Sequence, residues 1–155
     1  MISKLAAKGK DDALDLPRPM LHEGLDMSFS GLKSAIRRLI ENEPAKMSPQ
    51  RLADFCASIE CTIVEVLVTK TIRAARQYDV NTVLVVGGVS ANARLREDLA
   101  AAVKRELKGV TFLKPAIAFS TDNAAMIAAA GAWNLFRGKK SDWKKMDADP
   151  ELDFG

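Results

Sequence analysis

The chain has 155 residues, a formal net charge of +3 and an ordinary apolar fraction of 48%. This length is enough for one domain with a buried core. So mild a positive charge does not by itself indicate nucleic-acid binding. No apolar run approaches the ~20 residues of a transmembrane helix, and we expect no membrane partner. Because the N-terminus lacks the apolar core of a signal peptide, we expect a cytoplasmic location.

The first third of the chain predicts two helices separated by a loop. The pattern ISKLAAKG predicts a short helix that ends at Gly9, and a loop with Pro17 and Pro19 follows. Residues 27–30 (MSFS) are predicted as a short strand or an extended entry into the next element. That element is a helix over 31–43, which ends before a proline.

The middle of the chain predicts one long helix, from about 48 to 78. Ser48 is a good N-cap, and Pro49 suits the first helical turn. An i, i+3/i+4 apolar stripe from Leu52 to Ile72 indicates a face packed on a core. The later elements are predicted as a strand over 82–86, a helix over 91–107, a strand over 110–113, and a helix capped by Thr121 over 122–138.

This order of elements predicts an α/β fold with strands covered on both faces. Ligands of such folds bind beyond the carboxyl ends of the strands, where Gly87 and Gly88 lie. The glycine pair is either a tight strand exit or a place where a nucleotide approaches the backbone. It is not a dinucleotide fingerprint, because the G-x-G-x-x-G spacing is absent, and no Gly-Lys-Ser/Thr of a P-loop follows.

Two further stretches carry residues with functional chemistry. Asp122 precedes the last helix, where a carboxylate either caps free N–H groups or binds a metal through a hard oxygen. The helix after Gly31 carries Lys33, Arg37 and Arg38 on roughly one side. Such charges form either a solvated face or a strip that contacts RNA phosphates.

Three phrases occur in order: SFSGLKSA, VLVVGGVSANARLR and STDNAAMIAAAG. Together they resemble the C-terminal half of the tRNA N6-adenosine threonylcarbamoyltransferases, over about residues 2–136. The resemblance implies an actin-like, RNase H-like ATPase lobe in which helices flank a mixed sheet. It also implies the family reaction, in which threonylcarbamoyl passes from threonylcarbamoyl-adenylate to N6 of the adenosine beside the anticodon of tRNA.

The resemblance also implies roles for single residues. Asn92 falls on the family's substrate-binding asparagine, and Gly87 and Gly88 lie beside the adenine nucleotide. Asp122 falls on an aspartate that binds the family's metal, iron or zinc. Ser28, Phe29 and Lys33 match a phrase near the tRNA-facing groove, without individual roles.

The chain departs from the family pattern in its metal ligands. The family's metal is also held by two histidines of an N-terminal lobe, whereas this chain has one histidine, His22, which we expect to be solvated. The glycine-rich phosphate loop and substrate-binding aspartate of that lobe are also absent. We therefore assign no catalytic residue and expect little activity from this chain alone.

The expected organisation follows from this departure. Residues 1–26 are a leading segment left over from an absent N-terminal lobe, 27–138 form the C-terminal actin-like lobe, and 139–155 form a polar tail. Expected partners are tRNA, the missing lobe or a paralogous subunit, and an adenylate-forming enzyme. A second copy is a further possible partner, since a lobe without its neighbour exposes apolar surface. Two alternatives stay open: a non-catalytic interaction module that docks a paralogue or tRNA, and a lobe of another actin-like ATPase or kinase.

Overall fold

The computed structural model describes residues 2–44, 46–140, 142–145 and 147. Most of the predicted tail, 139–155, therefore lies outside the described residues. In the described part, no helix is long and apolar enough to cross a bilayer. The elements in chain order are α1 (Ile2–Ala6), α2 (Ser30–Glu41), α3 (Pro49–Gln77), β1 (Thr82–Leu84), α4 (Ala93–Glu106), β2 (Thr111–Leu113) and α5 (Ala124–Phe136), with short 3-10 turns at Gly88–Ala91, Ile117–Phe119 and Trp143–Lys145.

The long helix α3 is the element on which α1 and α4 pack. Its 29 residues correspond to about 43 Å at 1.5 Å per residue. Ser48 caps it, since its Oγ accepts a hydrogen bond from the Arg51 N–H at 3.1 Å, and Pro49 is its first residue. Tyr78 lies at its C-terminal cap. The predicted cap, start and end of this helix are confirmed.

The leading segment packs closely on α3. At Gly9 an added Cβ would lie 2.1 Å from the carbonyl oxygen of Ala53, so only glycine permits this approach. Beyond it, the Lys10 N–H donates to the Asp54 carboxylate at 2.9 Å. Side chains of α3 thus satisfy backbone groups of a segment that is not helical.

A second part of the leading segment is held by two cations of α3. Lys70, which is buried, donates from Nζ to the carbonyl oxygens of Glu23 and, at 3.1 Å, Gly24. Arg73 donates to the carbonyl oxygens of Gly24 at 2.8 Å and Leu21 at 2.9 Å. These bonds fix the loop that leads to α2.

The sheet consists of two parallel strands, β1 and β2, joined through α4. Val83 of β1 is buried, whereas Leu84, on the other face, is 59% exposed. The core lies between the first face, α3 and α4. Its buried members are Ile72, Ala75, Val83, Leu99, Ala102, Val103 and Leu107.

The structure corrects three predictions of local structure. No strand forms at 27–30, because Ser30 already begins α2 and the Lys33 N–H bonds to the Phe29 carbonyl oxygen. The strands are not covered on both faces, since α3 and α4 pack on one face and leave Leu84 exposed. Thr121 does not cap the last helix; Asn123 does. The observed fold is a mostly helical α/β arrangement with a small parallel sheet.

The last helix, α5, is exposed along its whole length. Every residue from 124 to 136 is exposed, although the helix has no charged side chain. Its largest exposed side chains are those of Trp133, Leu135 and Phe136. Among the described residues no neighbour covers this apolar surface of α5, and isolated helices of this length are marginal in water.

Candidate functional site

The two glycines after β1 differ in whether the structure requires glycine at their position. Gly87 has φ +83°, a left-handed conformation that side chains rarely adopt. Gly88 begins the 3-10 turn, has no such φ, and a Cβ placed there would meet no atom within 4 Å. Packing among the described residues therefore does not require glycine at 88, and the space beside this part of the backbone is open.

Asn92 is engaged in structural bonds through both ends of its amide. It is the N-cap of α4, because its Oδ1 accepts from the Leu95 N–H at 2.8 Å. Its Nδ2 donates to the Glu60 carboxylate at 2.6 Å and to the Ser3 hydroxyl at 3.1 Å. Both N–H groups are used, so a ligand finds one free lone pair on Oδ1 unless these bonds are released.

A small apolar cavity lies beside Asn92. Its volume is about 220 Å³, and Ile59, Ile63, Leu67, Val89 and Leu95 contribute to its lining. Ligand pockets usually measure roughly 300–1,000 Å³. The cavity is therefore too small to enclose an adenine nucleotide by itself.

Asp122 is exposed at the entrance to α5, and it is not the helix cap. The cap is Asn123, whose Oδ1 accepts from the Met126 N–H at 2.9 Å and whose Nδ2 donates to the Thr121 carbonyl oxygen at 2.9 Å. In the described part of the chain, no hydrogen bond or ion pair uses the Asp122 carboxylate. The capping alternative is thus wrong for Asp122, and its carboxylate is left available.

The described residues do not form a metal site by themselves. They contain no group of three or more His, Cys, Asp or Glu side chains placed to hold a metal ion. His22 is exposed in the loop before α2, as the sequence predicts. Asp122 is one ligand, whereas structural and catalytic metal sites need three or more. The described residues therefore do not fit the metal on their own.

A buried arginine for which no role was predicted connects the loop after β1 with the loop before α5. Arg96 is 8% exposed. Its guanidinium donates to the Ser90 carbonyl oxygen, to the Pro115 carbonyl oxygen at 2.9 Å and to the Ser120 hydroxyl at 2.8 Å. The signal in the sequence is a charge in an apolar stripe of α4, at positions 96, 99 and 103.

The basic residues of α2 form a separate surface. Lys33, Arg37 and Arg38 are exposed, and Arg37 pairs with Glu41 at 2.8 Å. Among the described residues, no hydrogen bond joins these three side chains to the loops at 87–92 and 120–123. Whether this surface contacts tRNA stays a prediction.

One further charge cluster flanks the start of α4. Arg94 donates to the Asp11 carboxylate at 2.7 Å and to the Cys61 sulfur at 3.2 Å. The bond from Arg94 holds the pKa of Asp11 below its ordinary value. Burial raises the pKa of the Cys61 thiol, so at neutral pH this cysteine is a protonated, weak nucleophile.

Comparison with known proteins gives a consistent result. The sequence model of the family described as tRNA N6-adenosine threonylcarbamoyltransferase matches residues 1–129. A protein of that name from Listeria monocytogenes is 46% identical over 152 residues. Proteins of the same name from Geobacillus thermodenitrificans and Bacillus subtilis are 46% and 44% identical over 155 and 157 residues.

These alignments cover a larger share of this chain than of each relative. They include 97%, 97% and 99% of this chain but 44% of each relative. The chain thus spans less than half the length of the curated relatives it matches. The matched residues include both glycines, Asn92 and Asp122. The chain belongs to the tRNA N6-adenosine threonylcarbamoyltransferase family.

Proposed function

We propose that this chain is the C-terminal lobe of an enzyme that transfers threonylcarbamoyl from threonylcarbamoyl-adenylate to N6 of the adenosine beside the anticodon of tRNA. The observation that carries this proposal is the family match over residues 1–129, which spans both the glycine loop and Asp122. We also propose that the intact enzyme has the actin-like fold of the family, in which β1 and β2 pair with further strands from outside the described residues. Because its substrate is tRNA, the enzyme acts in the cytoplasm.

In this proposal each candidate residue has a defined contact. The backbone at Gly87 and Gly88 and the side chain of Asn92 bind the adenine nucleotide. The open space beside Gly88 supports this contact, because no described atom outside residues 87–89 lies within 4 Å of a Cβ placed there. Asp122 supplies one ligand to a divalent metal, iron or zinc, and the remaining ligands come from the part of the enzyme outside this chain. The unpaired carboxylate of Asp122 supports that role.

The basic face of α2 contacts the phosphates of tRNA in this proposal. Lys33, Arg37 and Arg38 are exposed cations on one short helix, and such a strip positions a nucleic acid without reading its sequence. These contacts are electrostatic, so binding should weaken as salt increases.

The lobe needs a second polypeptide segment for activity. We propose the missing N-terminal lobe, or a paralogous subunit, as the neighbour of residues 27–138, with an adenylate-forming enzyme as the source of the acyl donor. Three features support a missing neighbour: the single metal ligand, the small cavity beside Asn92 and the exposed apolar length of α5. One lobe alone should bind nucleotide weakly, because its few contacts must offset the cost of ordering the ligand.

A second candidate function is a non-catalytic module that docks a partner through α5. The uncharged, exposed face of α5 favours it, since large apolar surfaces mark interaction sites. Self-association of two copies would cover the same face, and the mass in solution measures it. Another actin-like ATPase or kinase is no longer an alternative, because the family match selects the transferase family.

The proposal is tested by assembling the enzyme from two chains. This chain is co-expressed with the segment of the Bacillus subtilis relative that the alignment leaves uncovered, and tRNA is analysed for threonylcarbamoyladenosine by mass spectrometry. The Bacillus subtilis protein divided at the corresponding boundary is the positive control for assembly. The expected result is modified adenosine in both assemblies and none from this chain alone.

Two variants test whether modification of tRNA depends on the candidate site. Asp122→Asn should lower the yield of modified nucleoside at least about tenfold, because a neutral amide is a weaker metal ligand. Asp26→Asn is the matched control, since Asp26 is also exposed and lies in the loop before α2. Assembly without modification, alongside an active divided control, would favour the docking module.

A further inference from the structure

The two loops of the candidate site come from distant parts of the chain. The first, here called the glycine loop, comprises residues 87–92, and the second, the aspartate loop, comprises residues 115–122. Arg96 bonds to Ser90 in the glycine loop and to Pro115 and Ser120 in the aspartate loop. Ser90 is two positions from Asn92, and Ser120 is two positions from Asp122. One side chain thus connects the proposed nucleotide contact with the proposed metal ligand.

The position of Arg96 is unfavourable for the stability of the folded chain. It lies in the first turn of α4, where the positive end of the helix dipole disfavours a cation. Its partners are two carbonyl oxygens and a hydroxyl, and no carboxylate of the described residues forms an ion pair with it. A buried cation without a counter-ion lowers stability unless its hydrogen bonds offset the lost hydration.

The burial of the partners shows that these bonds form away from water. Ser120 is 2% exposed and Ser90 is 1% exposed. The planar guanidinium can donate in several fixed directions at once, which an ammonium group cannot do. Arginine is therefore suited to holding three acceptors from two loops in one geometry.

We propose that Arg96 is a positioning residue that holds the glycine loop and the aspartate loop at a fixed separation. The arrangement keeps Asn92 and Asp122 at the spacing that a bound nucleotide and its metal require, so this inference rests on the proposed function. Arg96 itself touches neither ligand. It acts through Ser90 and Ser120, so a change in one loop is transmitted to the other.

The test is amide hydrogen exchange on the intact chain without ligand. Each loop contains amides in local turns that report its opening. In the glycine loop the N–H groups of Ser90 and Asn92 bond at 3.0 Å to carbonyl oxygens three positions back, and in the aspartate loop those of Phe119 and Ser120 do so at 2.9 and 3.0 Å. Ser120→Ala removes one bond to Arg96 but leaves the backbone unchanged.

We expect a change in one loop to alter amide exchange in the other loop, 30 residues away in the sequence. In Ser120→Ala the exchange of the Ser90 and Asn92 amides should quicken about tenfold, although the change lies in the other loop. Arg96→Lys should quicken exchange in both loops. In the double variant, Ser90 should exchange no faster than in Arg96→Lys alone, because both changes act on the same connection.

Two matched variants separate positioning from general destabilisation. Ser58→Ala removes another buried hydroxyl, which bonds to the Leu14 N–H at 3.2 Å. Arg94→Lys changes the neighbouring arginine of α4, which bonds outside both loops. Neither should quicken exchange selectively at Ser90.

The inference is overturned if Ser120→Ala quickens exchange only in its own loop, or if Ser58→Ala has the same effect on Ser90. If Arg96→Lys fails to fold, Ser120→Ala still decides the question. The experiment needs no nucleotide, so failure of the transfer assay and failure of the positioning role are separate results. In an active assembly, Ser120→Ala should also lower kcat/KM about tenfold, while Ser58→Ala leaves it unchanged.

Discussion

Replacing Asn92 should destabilise the chain whether or not a nucleotide binds. Asn92→Ala removes the cap bond to Leu95 at 2.8 Å, which contributes about 1 kcal/mol. It also removes the 2.6 Å bond to Glu60; bonds to charged groups contribute about 1.5–3 kcal/mol, and partial exposure brings this one to the lower end. The expected loss is about 2.5 kcal/mol in the free energy of unfolding, equivalent to a fall in Tm of roughly 5–10 °C for a chain of this size.

Urea unfolding followed by far-UV circular dichroism measures this loss and separates its parts. Asn92→Ser keeps a side-chain oxygen that can cap α4 but loses the bond to Glu60, so it should lower the free energy of unfolding by only about 1.5 kcal/mol. Asn134→Ala is the matched control. Asn134 is exposed within α5, and alanine there should be neutral or slightly stabilising because it favours helix.

Two results would refute this reasoning. A loss below about 0.5 kcal/mol for Asn92→Ala would mean that the cap and the Glu60 bond contribute little to stability. Equal losses for Asn92→Ala and Asn92→Ser would mean that the cap is not one of the contributions. Either way, the stability of each variant must be known before its nucleotide affinity is interpreted.

Three further changes test other contacts. Gly9→Ala should lower the free energy of unfolding by about 1–3 kcal/mol, seen as a lower urea midpoint, because the new methyl group would lie 2.1 Å from the Ala53 carbonyl oxygen. Gly131→Ala should raise helical content and Tm, with up to about 1 kcal/mol of added stability, since a Cβ there meets no atom within 4 Å. A fall in Tm would show that α5 is packed in solution. The bond from Arg94 lowers the pKa of Asp11 from its ordinary 3.8, so this pair stabilises the chain above that pH and stops doing so as the pH falls through the lowered pKa. Asp11→Asn should therefore cost under about 1 kcal/mol at pH 7, because the pair is half-exposed, and less at pH 2 in thermal unfolding; an equal cost at both pH values would contradict the ion-pair explanation.

Local signals predicted the elements with strong caps and periodicity. Ser48 and Pro49 predict the start of α3 correctly, because the cap and the fixed φ of proline act within one turn. The segment TDN contains several residues able to cap α5, so sequence alone did not distinguish Thr121 from Asn123. That choice depends on the backbone conformation at residue 123, which is extended.

The connections between elements could not be predicted from local pattern. Coverage of β1 on both faces was inferred from its apolar run, but burial depends on which elements pack against it, and Leu84 is exposed. The glycine loop and Asp122 were found from their phrases. The bond between Asn92 and Glu60 was not, because it joins residues 32 positions apart. Arg96 is the last residue of the phrase VLVVGGVSANARLR, but no role was predicted for it, because its partners Pro115 and Ser120 lie 19 and 24 positions further along the chain.

The way α3 holds the leading segment sets a boundary for any shortened form of this chain. Most of residues 7–29 form no helix or strand, and a reader of the sequence would trim them as a linker. Their backbone groups are nevertheless bonded to Asp54, Lys70 and Arg73 of α3. Cutting at residue 26 would expose two buried residues of α3, Cys56 and Ala57, and leave the buried ammonium of Lys70 without acceptors. Proteases should accordingly cleave this stretch more slowly than its lack of secondary structure suggests, and expression trials should begin upstream of it.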